Sequence, residues 1–211
     1  MKLDGLTINF LGDSITQGVR TTSPEKVYHQ IIKEKYNLKY AYNYGVSGTR
    51  IARQIIPSKD STSCDLYFEL RAEIMERSAD AVVVFGGTND FGHGDAPFGT
   101  LESDSIYTFC GAVTSLIKKL KKDFPNAKIV FMTPLHRTME AQPSSPDSKV
   151  LEDYVDAIRE ICRVNNVDVI DLFEINPLDV WDEEVMPDGL HPNDKGHAIL
   201  ADVIAEELLK L

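Results

Sequence analysis

Short apolar runs alternate with longer helical patterns along this sequence, and that alternation restricts the fold more than any other feature. Five apolar runs are predicted to be strands: 6–11, 39–44, 81–86, 128–133 and 167–171. Helices are predicted at 24–36, 64–77, 104–122, 148–164 and 194–209. The last helix follows Asn193, which is a candidate N-cap. Strands that alternate with helices favour a mostly parallel sheet with helices on both faces.

The segments that follow the predicted strands are expected to carry the functional residues. Right-handed crossovers place the carboxyl ends of parallel strands on one edge of the sheet, and ligands bind in the crevice beyond that edge. These segments are 12–18, 45–53, 86–103, 133–147 and 172–193. Two of them, 86–103 and 133–147, are long for a compact domain, which is typical of functional loops.

Length and charge limit the domain organisation and the partners. A chain of 211 residues without a repeat or a linker is expected to form one domain over 1–211. The net charge of −11 argues against a nucleic acid or an anionic membrane surface as a partner, because both would repel the chain. The longest apolar runs are too short to cross a membrane, so no membrane insertion is expected. The oligomeric state is left open.

The cysteines and the amino terminus predict the compartment. Cys64, Cys110 and Cys162 are widely spaced and form no C-x-x-C pair, so neither a zinc site nor a disulfide framework is indicated. Cys110 and Cys162 fall on apolar helical stripes and are expected to be buried. Residues 1–5 lead into a strand without the apolar core of a signal peptide. These features together predict a cytoplasmic protein.

Four strand-end segments contain the residue types that ester hydrolysis requires. They read GDS at 12–14, NYGVSGTR at 43–50, FGGTNDFGHG at 85–94 and MPDGLHP at 186–192. A serine hydroxyl becomes a good nucleophile when an imidazole takes its proton. A carboxylate then fixes the tautomer of that imidazole, and the tetrahedral intermediate needs donors aimed at its oxyanion.

Asp188 and His191 are the candidates for the carboxylate and the base. Pro187 and Gly189 disfavour a helix in their segment, and Pro192 pushes His191 out of the α region. On such a turn the carboxylate has to curl back to reach the imidazole. The alternative interpretation is a simple Asp-Gly turn before a helix, with His191 exposed. This segment alone does not decide between the two.

Two serines are candidate nucleophiles, Ser14 and Ser47. The sequence around Ser47, GVSGT, nearly matches the G-x-S-x-G turn of α/β-hydrolases, but Thr49 replaces the second glycine. That turn needs a small residue at this position, because helix and strand approach each other closely there. The chain is also short for an α/β-hydrolase. Ser14 is therefore favoured, and Ser47 is expected to be a turn residue.

Backbone and amide N–H groups near Ser14 are candidate oxyanion donors. Gly48 lacks a side chain, so a ligand can approach its N–H closely. Asn89 has two amide hydrogens to donate, and the N–H of Ser14 would be a third donor. The alternative is ordinary turn chemistry at Gly45 and Gly48 and an Asx turn at Asn89.

The histidines in helical segments are weaker candidates for chemistry. His29 and His197 are expected to lie at the surface or to be partly packed. No H-E-x-x-H pattern occurs, and the spacing of His191 and His197 suits no common metal motif. No metal site is predicted.

Together, the four segments resemble the four blocks of the GDSL-type esterases, also called SGNH hydrolases. GDS surrounds Ser14, the second block ends at Gly48, GTND occupies 87–90 and DGLH occupies 188–191. The blocks follow in the family's order from residue 8 to about residue 197. One departure is Ile15, which stands where the family has its name-giving leucine. This apolar exchange does not put catalysis in doubt.

The resemblance implies a flavodoxin-like, three-layer α/β/α fold with a five-stranded parallel sheet. It also implies Ser14 as nucleophile, His191 as base and Asp188 as its orienting carboxylate. Gly48 and Asn89 are implied as oxyanion donors beside the N–H of Ser14. No cofactor is implied.

The substrate class is predicted from the segments at the edge of the site. They contain no long apolar lid, and their mixture of aromatic and polar residues suits a small polar ester. We therefore expect a short-chain esterase with a small-molecule ester substrate, and more narrowly a carbohydrate acetylesterase. Asp13, His93, His136 and Arg137 are expected substrate contacts. The family also includes lysophospholipases, thioesterases and acetylhydrolases, which are the alternative.

Two further hypotheses belong to other functional classes. A non-catalytic binding module would keep the pocket without turnover, but the complete set of Ser, His and Asp argues against it. A flavodoxin-like nucleotide binder would share the sheet, but neither G-x-G-x-x-G nor G-x-x-x-x-G-K-[ST] follows a strand.

Overall fold

The computed structural model describes residues 1–55 and 65–211. Its strands are β1 (Thr7–Gly12), β2 (Tyr40–Gly45), β3 (Ala81–Phe85), β4 (Lys128–Met132) and β5 (Asp168–Ile170). All pairings are parallel, and the order across the sheet is β2-β1-β3-β4-β5. The predicted strands and the α/β fold with a five-stranded parallel sheet are therefore confirmed.

The helices connect these strands or follow the last of them. They are α1 (Ser14–Gln17), α2 (Tyr28–Tyr36), α3 (Phe68–Ala72), α4 (Thr88–His93), α5 (Phe109–Asp123), α6 (Leu151–Val164), α7 (Leu172–Ile175) and α8 (Asp194–Lys210). Helix α8 begins where the sequence predicts it, because the Asn193 side chain accepts hydrogen bonds from the N–H groups of Lys195 and Gly196. None of the helices within 1–55 and 65–211 combines the length and apolarity needed to span a membrane.

Two helix predictions placed the start too early. The helix predicted at 104–122 begins at Phe109, because the Thr108 hydroxyl accepts from the Gly111 N–H and caps α5 there. The helix predicted at 148–164 begins at Leu151, where the Asp153 carboxylate accepts the N–H of Val150.

Two other helix predictions were wrong over part of their length. The prediction over 24–36 is interrupted at Val27, whose extended backbone separates a 3-10 turn, Pro24–Lys26, from α2. In the prediction over 64–77, only Phe68–Ala72 is α-helical among the described residues. Beyond α3 the chain turns, and the Glu76 carboxylate accepts both donors of Ser78. Cys64 and the start of that predicted helix lie outside the described residues.

Alternate side chains of the central strands pack on opposite faces of the sheet. Val82 and Val84 join the cluster that contains Phe109 of α5 and Tyr154 of α6. Val83 and Phe85 join the cluster of α2 and α8, which includes Tyr28, Leu200 and Ile204. This arrangement gives the expected three layers. Cys110 and Cys162 are buried free thiols, as predicted.

The five strands end level with one another at their carboxyl ends. Gly12 of β1 lies opposite both Gly45 of β2 and Phe85 of β3. The same row continues through Met132 of β4 to Ile170 of β5. All five strand-end segments therefore leave the sheet from one edge. After β1 the chain crosses to β2 on one side of it, and it later returns to β3 on the other side. Where the connections diverge in this way, a crevice opens between the carboxyl ends of β1 and β3.

Candidate active site

Ser14 follows the end of β1, as the first residue of α1. Asp13 caps this short helix, because its Oδ1 accepts the Ile15 N–H at 3.0 Å. The hydroxyl oxygen of Ser14 is 3.0 Å from Nε2 of His191, 177 positions away in the chain. The side chain of Ser14 is thus directed at an imidazole from the opposite end of the sequence.

Asp188 and His191 form the second part of the arrangement. Oδ2 of Asp188 is 2.9 Å from Nδ1 of His191, and Oδ1 accepts the backbone N–H of His191 at 2.7 Å. Oδ1 also accepts the N–H of Leu190, which closes the turn. The alternative of a merely exposed His191 is therefore wrong. With Nδ1–H donating to the carboxylate, the lone pair of Nε2 is free to accept the Ser14 hydroxyl proton.

The environment keeps Asp188 ionised. Partial burial opposes this, but hydrogen bonds from the backbone and ring of His191, and from Arg20, lower the pKa of Asp188 to about 2. The carboxylate is therefore negative at neutral pH. It can orient the imidazole and stabilise its protonated form.

Gly48 lies in a tight turn whose closing hydrogen bond does not use the Gly48 N–H. That bond joins Thr49 N–H to the carbonyl of Val46 at 3.3 Å, and Gly48 has φ +75°. A positive φ at the third position of a turn favours glycine. Ser47, the other candidate nucleophile, is exposed, and its N–H donates to the Gln17 side chain. The His191 ring contacts Ser14 instead.

Asn89 reaches across to the second segment from the first turn of α4. One of its amide hydrogens is donated to the carbonyl of Thr49 at 3.1 Å. The Phe91 N–H, which an Asx turn at Asn89 would bind, donates to the Gly87 carbonyl instead. The amide group carries two hydrogens, so a second donor remains. The bond to Thr49 joins the Gly48 turn to the Asn89 segment directly.

Two buried charged groups hold these segments in place, and the sequence reasoning missed both. The carboxylate of Asp90 accepts the N–H groups of Ile51 and Ala52 at 3.0 and 2.9 Å. Burial nevertheless raises the pKa of Asp90 to about 7. Arg50 is 3% exposed, donates to the Gly48 carbonyl at 2.7 Å and pairs with Asp95. Their sequence signals are weak, because Asp90 ends the GTND block and Arg50 ends the NYGVSGTR segment without a separate role being indicated for either.

Arg71 of α3 is a third buried charge that the sequence reasoning missed. Its guanidinium donates to the carbonyls of Gly12 and Tyr44, at the ends of β1 and β2. It also donates to the hydroxyl of Thr49 at 2.8 Å. Burial lowers the pKa of Arg71 to about 10, so it remains a cation at neutral pH.

The predicted substrate contacts occupy different environments. Asp13 is 2% exposed, its carboxylate accepts a backbone N–H of α1, and burial raises its pKa to about 6; its contact with a substrate stays a prediction. His136 bonds to Glu140 at 2.9 Å, and Arg137 donates to the Thr88 carbonyl at 3.0 Å. His93 is exposed at the end of α4, although the protein atoms on one side of its ring exclude enough water to lower its pKa.

The remaining histidines are structural. His29 and His197, which were expected to be at the surface or partly packed, are fully buried. His29 contacts the carbonyl of Thr16 in α1 at 3.0 Å, and Tyr28 N–H donates to His197 at 3.3 Å. Within the described ranges, no three His, Cys, Asp or Glu side chains cluster as metal ligands would.

A narrow crevice is lined by the two residues that flank Ser14 in the sequence, Asp13 and Ile15, and it is too narrow to admit a water molecule. Its walls are formed mainly by apolar residues on either side of the site: Ile15, Phe85, Pro134, Leu135 and Leu190, together with Asp13, Gly86, Thr88 and His136.

Comparisons with known proteins identify one matching family and several related structures. Residues 10–199 match the GDSL-like Lipase/Acylhydrolase family. One solved structure is 32% identical in sequence, with a TM-score of 0.86 over 100% of this chain and 99% of the other. No curated protein matches significantly.

Two further structures share the fold. A possible lipase from Chitinophaga pinensis is 23% identical, with a TM-score of 0.75 over 97% of this chain and 98% of the other. An acetyl xylan esterase, AlAXEase, is 24% identical, with a TM-score of 0.67 over 96% of this chain and 100% of the other. At these identities the likeness supports the α/β/α architecture.

The lowered pKa of Asp188 predicts a specific pH dependence of stability. Its folded-state pKa of about 2 lies below the ordinary value of 3.8. The ionised carboxylate therefore stabilises the fold above pH 3.8, and this stabilisation is lost as the pH falls through about 2. Urea unfolding should show Asp188→Asn less stable than wild type at neutral pH, with the difference narrowing steadily in acid.

Asp182→Asn is the matched control, because Asp182 lies in the same segment and accepts a single backbone N–H from Glu184. Its difference from wild type should change less with pH. A constant difference between Asp188→Asn and wild type across the acid range would contradict the expectation.

Proposed function

Because the chain belongs to the GDSL-like Lipase/Acylhydrolase family, we propose that it is a serine esterase that cleaves short-chain carboxylic esters through an acyl-enzyme. The observation that carries the proposal is the continuous chain from Ser14 Oγ through the His191 ring to Asp188. Its two links measure 3.0 and 2.9 Å. Both distances are those of hydrogen bonds, and the first is short enough for proton transfer from Ser14 to His191.

In the proposed acylation step, His191 Nε2 takes the proton of the Ser14 hydroxyl as Oγ attacks the ester carbonyl carbon. The carbonyl oxygen becomes an oxyanion, which accepts hydrogen bonds from the N–H groups of Ser14 and Gly48 and from the Asn89 amide. His191 then gives its proton to the alcohol oxygen, the C–O bond breaks, and the alcohol leaves. Asp188 remains a carboxylate throughout and stabilises the imidazolium.

Deacylation reverses these roles. His191 takes a proton from water, the hydroxide oxygen attacks the acyl carbon, and the proton returns to Ser14 Oγ as the carboxylic acid is released. Preorganised oxyanion donors are worth about 10²–10³ in turnover each. The buried contacts of Asp90 and Arg50 support this preorganisation, because they fix the segments that carry Gly48 and Asn89.

The crevice lined by Asp13 and Ile15 supports a short acyl group. Its walls are mainly apolar and it has no room even for water in this structure, so it offers no preformed tunnel for a long acyl chain, and in this proposal a short acyl group is held at the open edge of the site. The alcohol side faces the long segments that carry His93 and Arg137. One structural relative is an acetyl xylan esterase, and by analogy we propose a carbohydrate acetyl ester as the substrate class.

The nucleophile is tested by two serine variants. Ser14→Ala should reduce hydrolysis of p-nitrophenyl acetate to the uncatalysed background while its circular dichroism spectrum is unchanged, because no other hydroxyl contacts Nε2 of His191 among the described residues. Ser47→Ala is the matched control and should keep wild-type turnover. Loss of activity in Ser47→Ala with activity kept in Ser14→Ala would refute the assignment.

The acyl group is tested by a panel of p-nitrophenyl esters. The value of kcat/KM should fall by about tenfold or more between acetate and octanoate, because a chain that does not fit its pocket loses transition-state binding. Leu135→Ala, which shortens a wall of the crevice, should raise octanoate hydrolysis relative to acetate. Leu116→Ala in the α5 core should lower stability without changing that ratio. Rising activity with acyl length would favour a lysophospholipase or thioesterase instead.

A further inference from the structure

The segment that follows α1 crosses to the loop that carries Asp188 and His191. The Nε atom of Arg20 donates to Oδ2 of Asp188 at 3.1 Å. This is the same oxygen that lies 2.9 Å from Nδ1 of His191. A guanidinium and an imidazole therefore share one carboxylate oxygen, although residues 20 and 188 are far apart in the sequence.

The backbone of Arg20 is held in an unusual conformation. Its φ is +74°, in the left-handed region that non-glycine residues seldom adopt. On one side, Val19 N–H donates to the Ser14 carbonyl. On the other, Thr22 donates through its N–H and its hydroxyl to the Asp194 carboxylate, at 2.8 and 2.6 Å. Such strain persists where the surrounding contacts over-determine it, and it clusters at functional sites.

Several other charged or titratable groups act on the Asp188–His191 pair. The buried carboxyl of Asp13 interacts with His191, and Arg137 interacts with Asp188. The buried His197 also interacts with His191. These groups come from the end of β1, the segment after β4 and helix α8. All three side chains are kept in a variant at position 20, which is therefore expected to isolate the effect of the guanidinium.

On the premise of the esterase function proposed above, we propose that Arg20 is a positioning residue that holds Asp188 against His191 and sets the pH range over which His191 works as a base. It does so in two ways. The hydrogen bond from its Nε orients Oδ2 toward the imidazole. Its positive charge lies close to the ring and opposes the addition of a second proton there.

The direction of the effect follows from the charge. In wild type the guanidinium disfavours the imidazolium, so activity persists to lower pH. Without that charge, the imidazole of the free enzyme gains a proton more readily, and the acid limb of the kcat/KM profile moves to higher pH. Because the Arg20 guanidinium is half-exposed and lies several ångströms from the His191 ring, the acid limb is expected to shift by about 0.5–1 pH unit.

Arg20 is a good position for this experiment because its loss should not unfold the chain. The Arg20 side chain is 53% exposed and that of Asp188 is 27% exposed, and surface ion pairs contribute little to stability. Arg77 is a matched control. It pairs with Asp123 at 3.0 Å with side-chain exposures of 48% and 18%, and it precedes β3, near the opposite edge of the sheet.

The test compares pH profiles of p-nitrophenyl acetate hydrolysis for wild type, Arg20→Gln, Arg20→Lys and Arg77→Gln. Arg20→Gln should move the acid limb to higher pH by about 0.5–1 unit. Arg20→Lys should move it by less than half as much, and Arg77→Gln should not move it. Salt at about 1 M should move the wild-type limb toward that of Arg20→Gln, because it screens the guanidinium. Arg20→Gly removes the side chain without backbone strain and should behave like Arg20→Gln.

The outcomes separate this inference from the proposed function. The role of Arg20 would be overturned if wild type hydrolyses the ester and its acid limb coincides with those of Arg20→Gln and Arg20→Gly. That result would leave the esterase proposal standing. A shift of equal size in Arg77→Gln would also overturn it, because the effect would then come from net charge alone. A folded wild type that hydrolyses no ester would defeat the proposed function, and this inference with it.

Discussion

The parallel register of β1 with both of its neighbours is the constraint on which the rest of the structure depends. Gly12 lies level with Gly45 on one side and with Phe85 on the other. Ser14, Gly48 and Asn89 follow those three positions within a few residues. No long loop is needed to bring them together, because the sheet itself aligns their starting points. The chain then supplies Asp188 and His191 from the segment beyond the last strand.

Close packing at the strand ends converts this register into a defined site. A Cβ atom on Gly45 would lie 2.2 Å from the backbone nitrogen of Gln17, so helix α1 rests directly on the end of β2. Arg71 of α3 donates hydrogen bonds to the carbonyls of Gly12 and Tyr44. Buried polar groups are costly unless they are satisfied, and here they satisfy the backbone groups that the strand ends leave unpaired. The position of Ser14 is therefore fixed from two sides.

The sequence predicts the strands and the candidate residues better than it predicts the helix boundaries or the supporting contacts. Runs such as 81–85 identify buried strands because both faces of a parallel sheet are covered. The stripe that includes Ile106 extended the predicted α5 too far, since residues outside a helix can continue its apolar spacing. The D-x-x-H spacing singled out Asp188 and His191, but their separation and their hydrogen bonds depend on a turn that no local pattern specifies. Arg20 was not predicted, because its contact spans 168 positions and needs a left-handed backbone.

The central claim is that Ser14 is the activated hydroxyl of this molecule, and covalent labelling tests it most directly. A fluorophosphonate reacts with an activated serine and leaves a stable adduct that mass spectrometry can place on a single peptide. The structure predicts one adduct, on Ser14, which forms in step with the loss of esterase activity and is strongly slowed in His191→Ala. An adduct on Ser47 in place of Ser14, or ester hydrolysis that continues in fully labelled protein, would contradict the account.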